Sequence, residues 1–298
     1  MLNSAILSFS PFQLQAWLRI YGEDAATFLQ GQFTNDLLPL RPGEAAYGLW
    51  LNQKGKVLAD SFVLRGFQNG EFFVGSYFSA ATVIRERLEA YVIADDVIIE
   101  DVTSVWTGFA IVGSEAASRF REIAHNGFVF HGRRVAGENI ECVVPISESE
   151  RVSREILRAG AKEISTDELE VLRIHAGIPA IPQDIGPGEL PNEGGLETPA
   201  ISYTKGCYLG QEVMARLKSM GQVRRRLLRI AGEGAIPILP AKLFLGVRAV
   251  GELRSAVLNG TVGFAGLALV SLIHVRPESV LAFAPGGSAT IRLLEFHE

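Results

Sequence analysis

One short segment carries four side chains that could do chemistry together: Lys205, Cys207, Gln211 and Glu212, interspersed with two glycines. Glycine admits backbone conformations and close approaches that other residues cannot reach without strain. A cation two residues from a thiol, just before a helix that the pattern predicts from Val213, favours the thiolate over the thiol. The segment therefore predicts a reactive Cys207 near the positive end of a helix. A buried structural cysteine beside an ordinary turn is the alternative.

Asp60 is a second candidate for chemistry. It lies in a predicted strand, residues 57–65, which a tight turn joins to another predicted strand, residues 46–51. Alternation along the strand places Asp60 on one face with Phe62 and Leu64, toward an interior or a pocket. An unpaired carboxylate there would be costly, so it needs hydrogen-bond donors or a ligand. Two readings stay open: a functional carboxylate, or one satisfied by backbone N–H groups or a basic partner.

The elements that must position these candidates fall into two parts. Up to about residue 222, short strands and helices alternate, which predicts an α+β architecture. Residues 23–30 predict one of the helices, with Gly31 ending it at the C′ position. After residue 222, short apolar runs separated by glycine and proline predict a small all-β barrel or sandwich. The segment 179–199 is rich in proline and glycine, and connectors of that length are usually functional or disordered.

Length and composition narrow the classes of function. A chain of 298 residues predicts two or three domains, and 48% hydrophobic with 20% charged residues is typical of a globular protein. The formal charge of −5 argues against whole-molecule binding to nucleic acid, although residues 224–226 form a local arginine cluster. The longest uncharged stretch, 255–273, is interrupted by glycines and an asparagine, so we expect no membrane span.

The cysteine count limits the redox chemistry. Cys142 and Cys207 are the two cysteines, which provide no disulfide framework and fit a reducing, cytoplasmic location. An iron–sulfur cluster typically needs four thiolates, so this chain alone is not expected to hold one, and no resident metal is predicted. If it contacts a cluster, Cys207 would supply a single ligand in trans.

Five motifs in order carry a family resemblance. They are GEDAATFLQGQFTND, LNQKGKVLAD, RIHAGIP, LPNEGGLE and KGCYLGQE, within residues 22–226. Together they resemble the YgfZ family, whose members are related to the T-protein (aminomethyltransferase) of the glycine cleavage system. The resemblance implies a three-domain ring around a central hole that holds tetrahydrofolate. Two ferredoxin-like α+β domains are expected, one from residues 1–45 with 145–222 and one from 46–144, followed by a β-barrel over 223–298.

The resemblance also implies a function. The protein is expected to bind tetrahydrofolate or a one-carbon derivative and to support assembly or repair of iron–sulfur enzymes, including tRNA-modifying ones. Its partners would be such client enzymes or assembly factors, with Cys207 as the essential thiol and Lys205 as its cationic neighbour. The alternatives are a folate-dependent aminomethyltransferase using Asp60 as its acid–base group, and a non-catalytic folate-binding scaffold. Two positions depart from the T-protein pattern, since Ala59 replaces the first of two aspartates and His175 replaces a pterin-binding glutamate.

Nine residues are expected to contact the folate. Glu193 and Glu197 could accept hydrogen bonds from the amino-pyrimidine edge of the pterin, and Arg216 and Arg225 could bind the glutamate tail. The complete predicted set consists of Asn35, His175, Glu193, Glu197, Tyr208, Gln211, Glu212, Arg216 and Arg225.

Overall fold

A computed structural model describes residues 7–221, 223–260 and 263–294. The strands are β1 (Ser8–Phe12), β2 (Ala16–Tyr21), β3 (Ala45–Leu51), β4 (Val57–Arg65), β5 (Phe72–Ser76), β6 (Ile98–Asp101), β7 (Trp106–Val112), β8 (Phe128–His131), β9 (Asn139–Pro145), β10 (Lys162–Glu163), β11 (Arg225–Glu233), β12 (Ala241–Leu245), β13 (Arg248–Leu258), β14 (Gly263–Ser271), β15 (Val280–Leu281) and β16 (Ile291–Leu293). The α-helices are α1 (Ala25–Gln32), α2 (Ala81–Glu89), α3 (Ala116–Phe120), α4 (Ser149–Arg158), α5 (Thr166–His175) and α6 (Gln211–Met220).

The first sheet is antiparallel and contains β2 to β6 in the order β3-β4-β5-β2-β6. Helices α1 and α2 cover one of its faces. Phe28 and Leu29 of α1 and Ile84 and Leu88 of α2 are buried there against the sheet. The opposite face of the sheet carries Trp17, Phe62 and Phe73, which are buried as well, so this face needs a second layer.

The second sheet supplies that layer. It has the order β10-β1-β7-β9-β8, and its own outer face is covered by α3 and α4. Its inner face meets the first sheet in an aromatic core in which Trp17, Phe62 and Phe73 contact Phe128 and Phe130. The two sheets therefore lie face to face between two pairs of helices.

The remaining strands form a barrel-like sheet with the order β12-β13-β14-β11-β16-β15. Its two edges meet because the backbones of Phe244 and Ala282 exchange hydrogen bonds of 2.8 and 2.9 Å. Leu243, Leu253 and Val270 are among the side chains that fill the interior. The six strands are therefore nearly closed.

The proline- and glycine-rich connector is ordered and joins these parts. Ile181, Ile185 and Leu196 are fully buried in a core that also contains Leu51 of β3 and Met214 of α6. The connector therefore packs between the hairpin of β3 and β4, helix α6 and the barrel. The sequence predicted that a connector of this length is either functional or disordered. Its buried side chains exclude disorder.

The α+β class and the C-terminal barrel are confirmed. The predicted end of the first helix at Gly31 is wrong, because α1 continues to Gln32 and the N–H of Phe33 still donates to the carbonyl of Leu29. Strand pairing does not follow the predicted domain bounds, since β2 joins β3 to β6 in one sheet while β1 joins β7 to β10 in the other. The pairing of strands into sheets does not by itself define domains, so the domain bounds stay a prediction.

Candidate functional site

Residues 202–210, which we call the thiol loop, present Cys207 to solvent. The loop has no regular secondary structure and leads directly into α6, which begins at Gln211, two residues earlier than predicted. Cys142, in contrast, is fully buried in the core under the second sheet, and burial raises the pKa of its thiol to about 12. Cys207 is therefore the accessible thiol of this chain.

Gly210 allows the thiol loop to reach the hairpin of β3 and β4. Its φ of +88° lies in the left-handed region, and a Cβ at this position would come within 2.9 Å of the carbonyl oxygen of Asn52. A residue with a side chain would have to shift the hairpin or the loop. The glycine before α6 is thus required by the close approach of these two segments.

Lys205 is buried and attaches the thiol loop to the end of α1. Its ammonium donates to the carbonyl oxygens of Gln30, Phe33 and Asn35 at 2.7, 2.7 and 2.8 Å, and it lies 5.3 Å from the ring centre of Tyr208. A lysine ammonium has three N–H donors, so all three are used. None remains for a hydrogen bond to Cys207, and the role of Lys205 as the cation that ionises the thiol stays a prediction.

Asp60 is buried, and both of its carboxylate oxygens accept hydrogen bonds from hydroxyl groups. Ser76 and Ser79 donate to Oδ1 at 2.9 and 2.8 Å, and Tyr47 donates to Oδ2 at 3.0 Å. Burial raises the pKa of Asp60, and the hydroxyl donors partly oppose this. The carboxylate is thus satisfied inside the protein, but by hydroxyls rather than by backbone N–H groups or a salt bridge.

A cavity of about 800 Å³ lies between the edges of the two sheets and includes the ring of Tyr47 in its wall. The guanidinium of Arg133 lies 4.1 Å from the centre of that ring. Four phenylalanines line the cavity as well, and Phe67 stacks on Phe128 with ring centres 5.2 Å apart. The aromatic and cationic side chains that line it are Tyr47, Phe62, Phe67, Phe128, Phe130, Arg41, Arg121, His131 and Arg133. An aromatic ligand with a negative charge would find complementary groups here.

The nine predicted cofactor residues are all described, and none of them lines this cavity. Glu193 and Arg225 instead bind each other, with Nε of Arg225 2.9 Å from Oε1 and an Nη 3.2 Å from Oε2 of the glutamate. Glu193 also accepts from the backbone N–H of Leu190 at 2.7 Å. This carboxylate and this guanidinium therefore neutralise each other at the start of the barrel.

Three further predicted residues lie at the surface. Glu212 and Arg216 form an exposed ion pair of 2.8 Å along α6, and such pairs contribute little to stability. His175, the last residue of α5, exposes its side chain while its carbonyl accepts from Arg229. Its contact with the pterin stays a prediction.

The other four differ in how their polar atoms are satisfied. Asn35 donates from Nδ2 to the carbonyl of Tyr47 at 2.9 Å, and its own carbonyl binds Lys205. Glu197 lies 3.6 Å from Arg226 through Oε1, whereas its buried Oε2 has no hydrogen-bond partner within the described ranges. The buried hydroxyl of Tyr208 likewise lacks a partner among those residues. Gln211 is half-buried at the start of α6.

Tyr47 and Arg133 were missed by the sequence analysis. The hairpin register pairs Leu49 with Asp60 and Tyr47 with Phe62, which makes Tyr47 the diagonal neighbour of Asp60 on the same face. The predicted hairpin therefore contained the signal for Tyr47. Arg133 follows β8, far along the sequence, and no local pattern brings it to the hairpin.

Comparisons with known proteins agree with the sequence motifs. Residues 13–131 match the family model of the GCVT N-terminal domain. A Mus musculus protein named iron–sulfur cluster assembly factor IBA57, mitochondrial, is 29% identical over 278 residues, which cover 86% of this chain and 75% of that protein. A Klebsiella pneumoniae protein named tRNA-modifying protein YgfZ is 27% identical over 247 residues, covering 77% of this chain and 74% of that protein.

The solved structure of glycine cleavage system aminomethyltransferase T from Bartonella henselae has the same fold. Its TM-score is 0.78 at 16% identity, over 97% of this chain and 85% of that chain. The resemblance to the YgfZ proteins and to T-protein is therefore confirmed, as is the predicted fold. Within the described ranges, no helix has the length and apolar character needed to cross a membrane.

Proposed function

We propose that this protein binds tetrahydrofolate or a one-carbon derivative and supports assembly or repair of iron–sulfur enzymes through the thiol of Cys207. The client enzymes would include some that modify tRNA, and the protein would act in the cytoplasm. The names of the two relatives, an iron–sulfur cluster assembly factor and a tRNA-modifying protein, support this reading.

The observation that carries the proposal is the contrast between the two cysteines. Cys207 is exposed on a loop that is attached to the rest of the fold, while Cys142 is sealed in a core. A thiol that serves a partner protein must be reachable and must be held in a defined place. Two thiols cannot hold a typical four-thiolate cluster, so any cluster contact would be made together with another protein.

The lining of the cavity suits a folate better than the surroundings of the nine residues that the sequence predicted to bind it. Its aromatic side chains, including Phe62 and Phe128, suit a flat ring system, and Arg133 beside Tyr47 suits a polar ring edge or a carboxylate. The exposed Arg121 at the cavity suits the glutamate tail. Its volume of about 800 Å³ is within the usual range for small-molecule sites. A bound tetrahydrofolate would supply a carrier for a one-carbon unit.

A complementation experiment tests the thiol. In a bacterial strain that lacks its own relative of this protein, the wild-type chain should restore the activity of a dependent iron–sulfur enzyme. Cys207→Ser should fail, whereas Cys142→Ala, which removes the buried sulfur, should restore activity as the matched control. Equal rescue by wild type and Cys207→Ser would remove the proposed role of the thiol.

A titration with tetrahydrofolate under anaerobic conditions tests the ligand. The ring centres of Trp106 and Phe128 are 6.1 Å apart, and Phe128 lines the cavity. A ligand in the cavity should therefore quench tryptophan fluorescence. Saturable quenching without turnover would favour the folate-binding scaffold. The absence of any saturable change, confirmed by calorimetry, would contradict folate binding.

An aminomethyltransferase is the second candidate, and one observation favours it. Asp60 corresponds to the second aspartate of the T-protein motif, and it hydrogen-bonds Tyr47 of the cavity wall. Asp60→Asn should then abolish folate-dependent transfer of the one-carbon unit while leaving folate affinity nearly unchanged. A variant with an unaltered rate would eliminate this candidate.

A further inference from the structure

The thiol loop is attached to the segment 30–35 at three points. Near its start, the backbone N–H of Ser202 donates to the carbonyl of Thr34 at 3.0 Å. Near its end, the N–H of Leu209 donates to the carbonyl of Gly31 at 3.2 Å. Between them lies the ammonium of Lys205, which binds three further carbonyls of the same segment. Cys207 thus lies, along the chain, between the second and third attachment points and remains exposed.

The middle attachment is the one that a side chain provides. Lys205 is 7% exposed, and its charge faces the carbonyl end of α1, where the helix dipole favours a cation. Without the ammonium, three carbonyl oxygens would lose a charged donor, and the loop on both sides of Cys207 would keep one backbone hydrogen bond at each end. These two backbone hydrogen bonds, to Thr34 and to Gly31 of α1, hold the loop less firmly than they do together with a charged group that has three acceptors.

We propose that Lys205 is a positioning residue that fixes the thiol loop, and with it Cys207, against the end of α1. This differs from the prediction that Lys205 ionises the thiol, because its donors are all directed to backbone oxygens. That this positioning matters for function rests on the proposed role of Cys207. The attachment of the thiol loop by Lys205 does not depend on that role.

The same attachment links the thiol loop to the wall of the cavity. Asn35 accepts from Lys205 through its carbonyl and donates from its side chain to the carbonyl of Tyr47. Tyr47 lines the cavity. Lys205 therefore holds Cys207 at a fixed place relative to the cavity, which a thiol working beside a bound ligand would need.

Spin labelling of Cys207 tests the proposal. Because Cys142 is buried, a nitroxide reagent should modify Cys207 of the folded full-length chain selectively. The electron paramagnetic resonance spectrum should show a restricted label in wild type and in Lys242→Met, the matched control, which removes an exposed ammonium from barrel strand β12. Lys205→Met should give a mobile label, and Lys205→Arg, which keeps a charged donor, should restore part of the restriction.

Hydrogen exchange provides a second measurement that needs no label. The amides of Ser202 and Leu209 should exchange about tenfold faster or more in Lys205→Met than in wild type or Lys242→Met. Unchanged exchange and an unchanged spectrum in Lys205→Met would overturn the proposal.

The buried Cys142 separates a local change from loss of the fold. If Lys205→Met and Lys205→Arg both let Cys142 react as fast as in denaturant, Lys205 is required for folding as a whole and the positioning role is wrong. A mobile loop with Cys142 still protected supports it. This outcome is distinct from failure of the proposed function, in which Cys207→Ser would still restore enzyme activity.

Discussion

The hydroxyl of Tyr47 donates to Oδ2 of Asp60 across 3.0 Å, while the ring of the same tyrosine forms part of the cavity wall. Burial raises the pKa of Tyr47 well above its usual value, and the nearby Asp60 carboxylate raises it further, so the phenol remains a hydrogen-bond donor. The guanidinium of Arg133 lies over this ring, 4.1 Å from its centre. A buried carboxylate is thereby connected to a ligand-sized space through a single side chain.

Asp60 should make stability depend on pH in a defined direction. Its pKa is raised in the folded protein because of burial, so the folded state binds the proton more tightly than the unfolded chain. The free energy of unfolding of wild type, relative to Asp60→Asn, should therefore increase as pH falls from 7 toward 4. Urea unfolding at several pH values measures this difference. Parallel pH curves for the two proteins would contradict the raised pKa.

Removing the Asp60 side chain should lower the free energy of unfolding more than neutralising its charge. Asp60→Ala leaves the buried hydroxyls of Tyr47 and Ser76 without their acceptor, at a cost of about 1–3 kcal/mol each, whereas Ser79 can still donate to the carbonyl of Ile181 at 3.1 Å. Asp60→Asn keeps an acceptor for the two serines and should cost less. The same urea experiments at pH 7 compare the two variants.

Variants of the cavity should weaken folate binding selectively. Arg133→Ala removes the cation beside Tyr47, and loss of a charged contact of about 1.5–3 kcal/mol corresponds to roughly tenfold to hundredfold weaker binding. Arg216→Ala removes an equal charge from the surface of α6 and should leave the affinity unchanged. Calorimetric titration with tetrahydrofolate measures both. If Arg216→Ala or Glu197→Gln weakens binding and Arg133→Ala does not, the folate lies beside the thiol loop instead.

Local sequence patterns predicted the burial of Asp60 and the exposure of Cys207, but not the residues that contact Asp60 and Lys205. Alternation along β4 predicts the burial of Asp60, and the motif around Cys207 predicts an accessible thiol before a helix. The serines that satisfy Asp60 come from β5 and the segment after it, which alternation within β4 does not reveal. Adjacency in sequence suggested that Lys205 favours the thiolate of Cys207.

The contacts of Lys205 show why that inference was incomplete. Its partners lie 170 to 175 residues earlier in the chain, at the end of α1. No spacing rule links such distant segments, because tertiary packing decides where a buried ammonium finds its acceptors. The pairing of Glu193 with Arg225 has the same origin, since it joins the connector to the first barrel strand. Two residues predicted to bind a ligand thus bind each other.

Lys205 should produce a pH dependence opposite to that of Asp60. Burial lowers its pKa to about 8 from the ordinary 10.5, although the charge of Asp36 opposes this shift. Below pH 8 the desolvation of the ammonium offsets part of the stabilisation from its three hydrogen bonds, and this cost is relieved as pH rises from 8 to 10.5, where the unfolded chain still holds the proton. The free energy of unfolding of wild type, relative to Lys205→Met, should rise by roughly 3 kcal/mol over this interval.

Urea unfolding at pH 7, 8, 9 and 10 tests this expectation. Lys242→Met, which removes an exposed lysine from barrel strand β12, serves as the matched control. Contributions from other titrating groups are shared by all three proteins and cancel in the differences. A constant difference between wild type and Lys205→Met at all four pH values would contradict the lowered pKa.

Two glycines on either side of Cys207 should differ sharply in their tolerance of alanine. At Gly210 the φ is +88° and a Cβ would lie 2.9 Å from the carbonyl oxygen of Asn52, so Gly210→Ala should cost about 1–3 kcal/mol. At Gly206 a Cβ would meet no atom within 4 Å, so Gly206→Ala should be nearly neutral. Both remove the same backbone freedom from the unfolded thiol loop, so the comparison isolates the close approach to the hairpin. Urea unfolding measures the change in the free energy of unfolding for each variant. Equal stability of the two variants would mean that the close approach of Gly210 to Asn52 does not require a glycine.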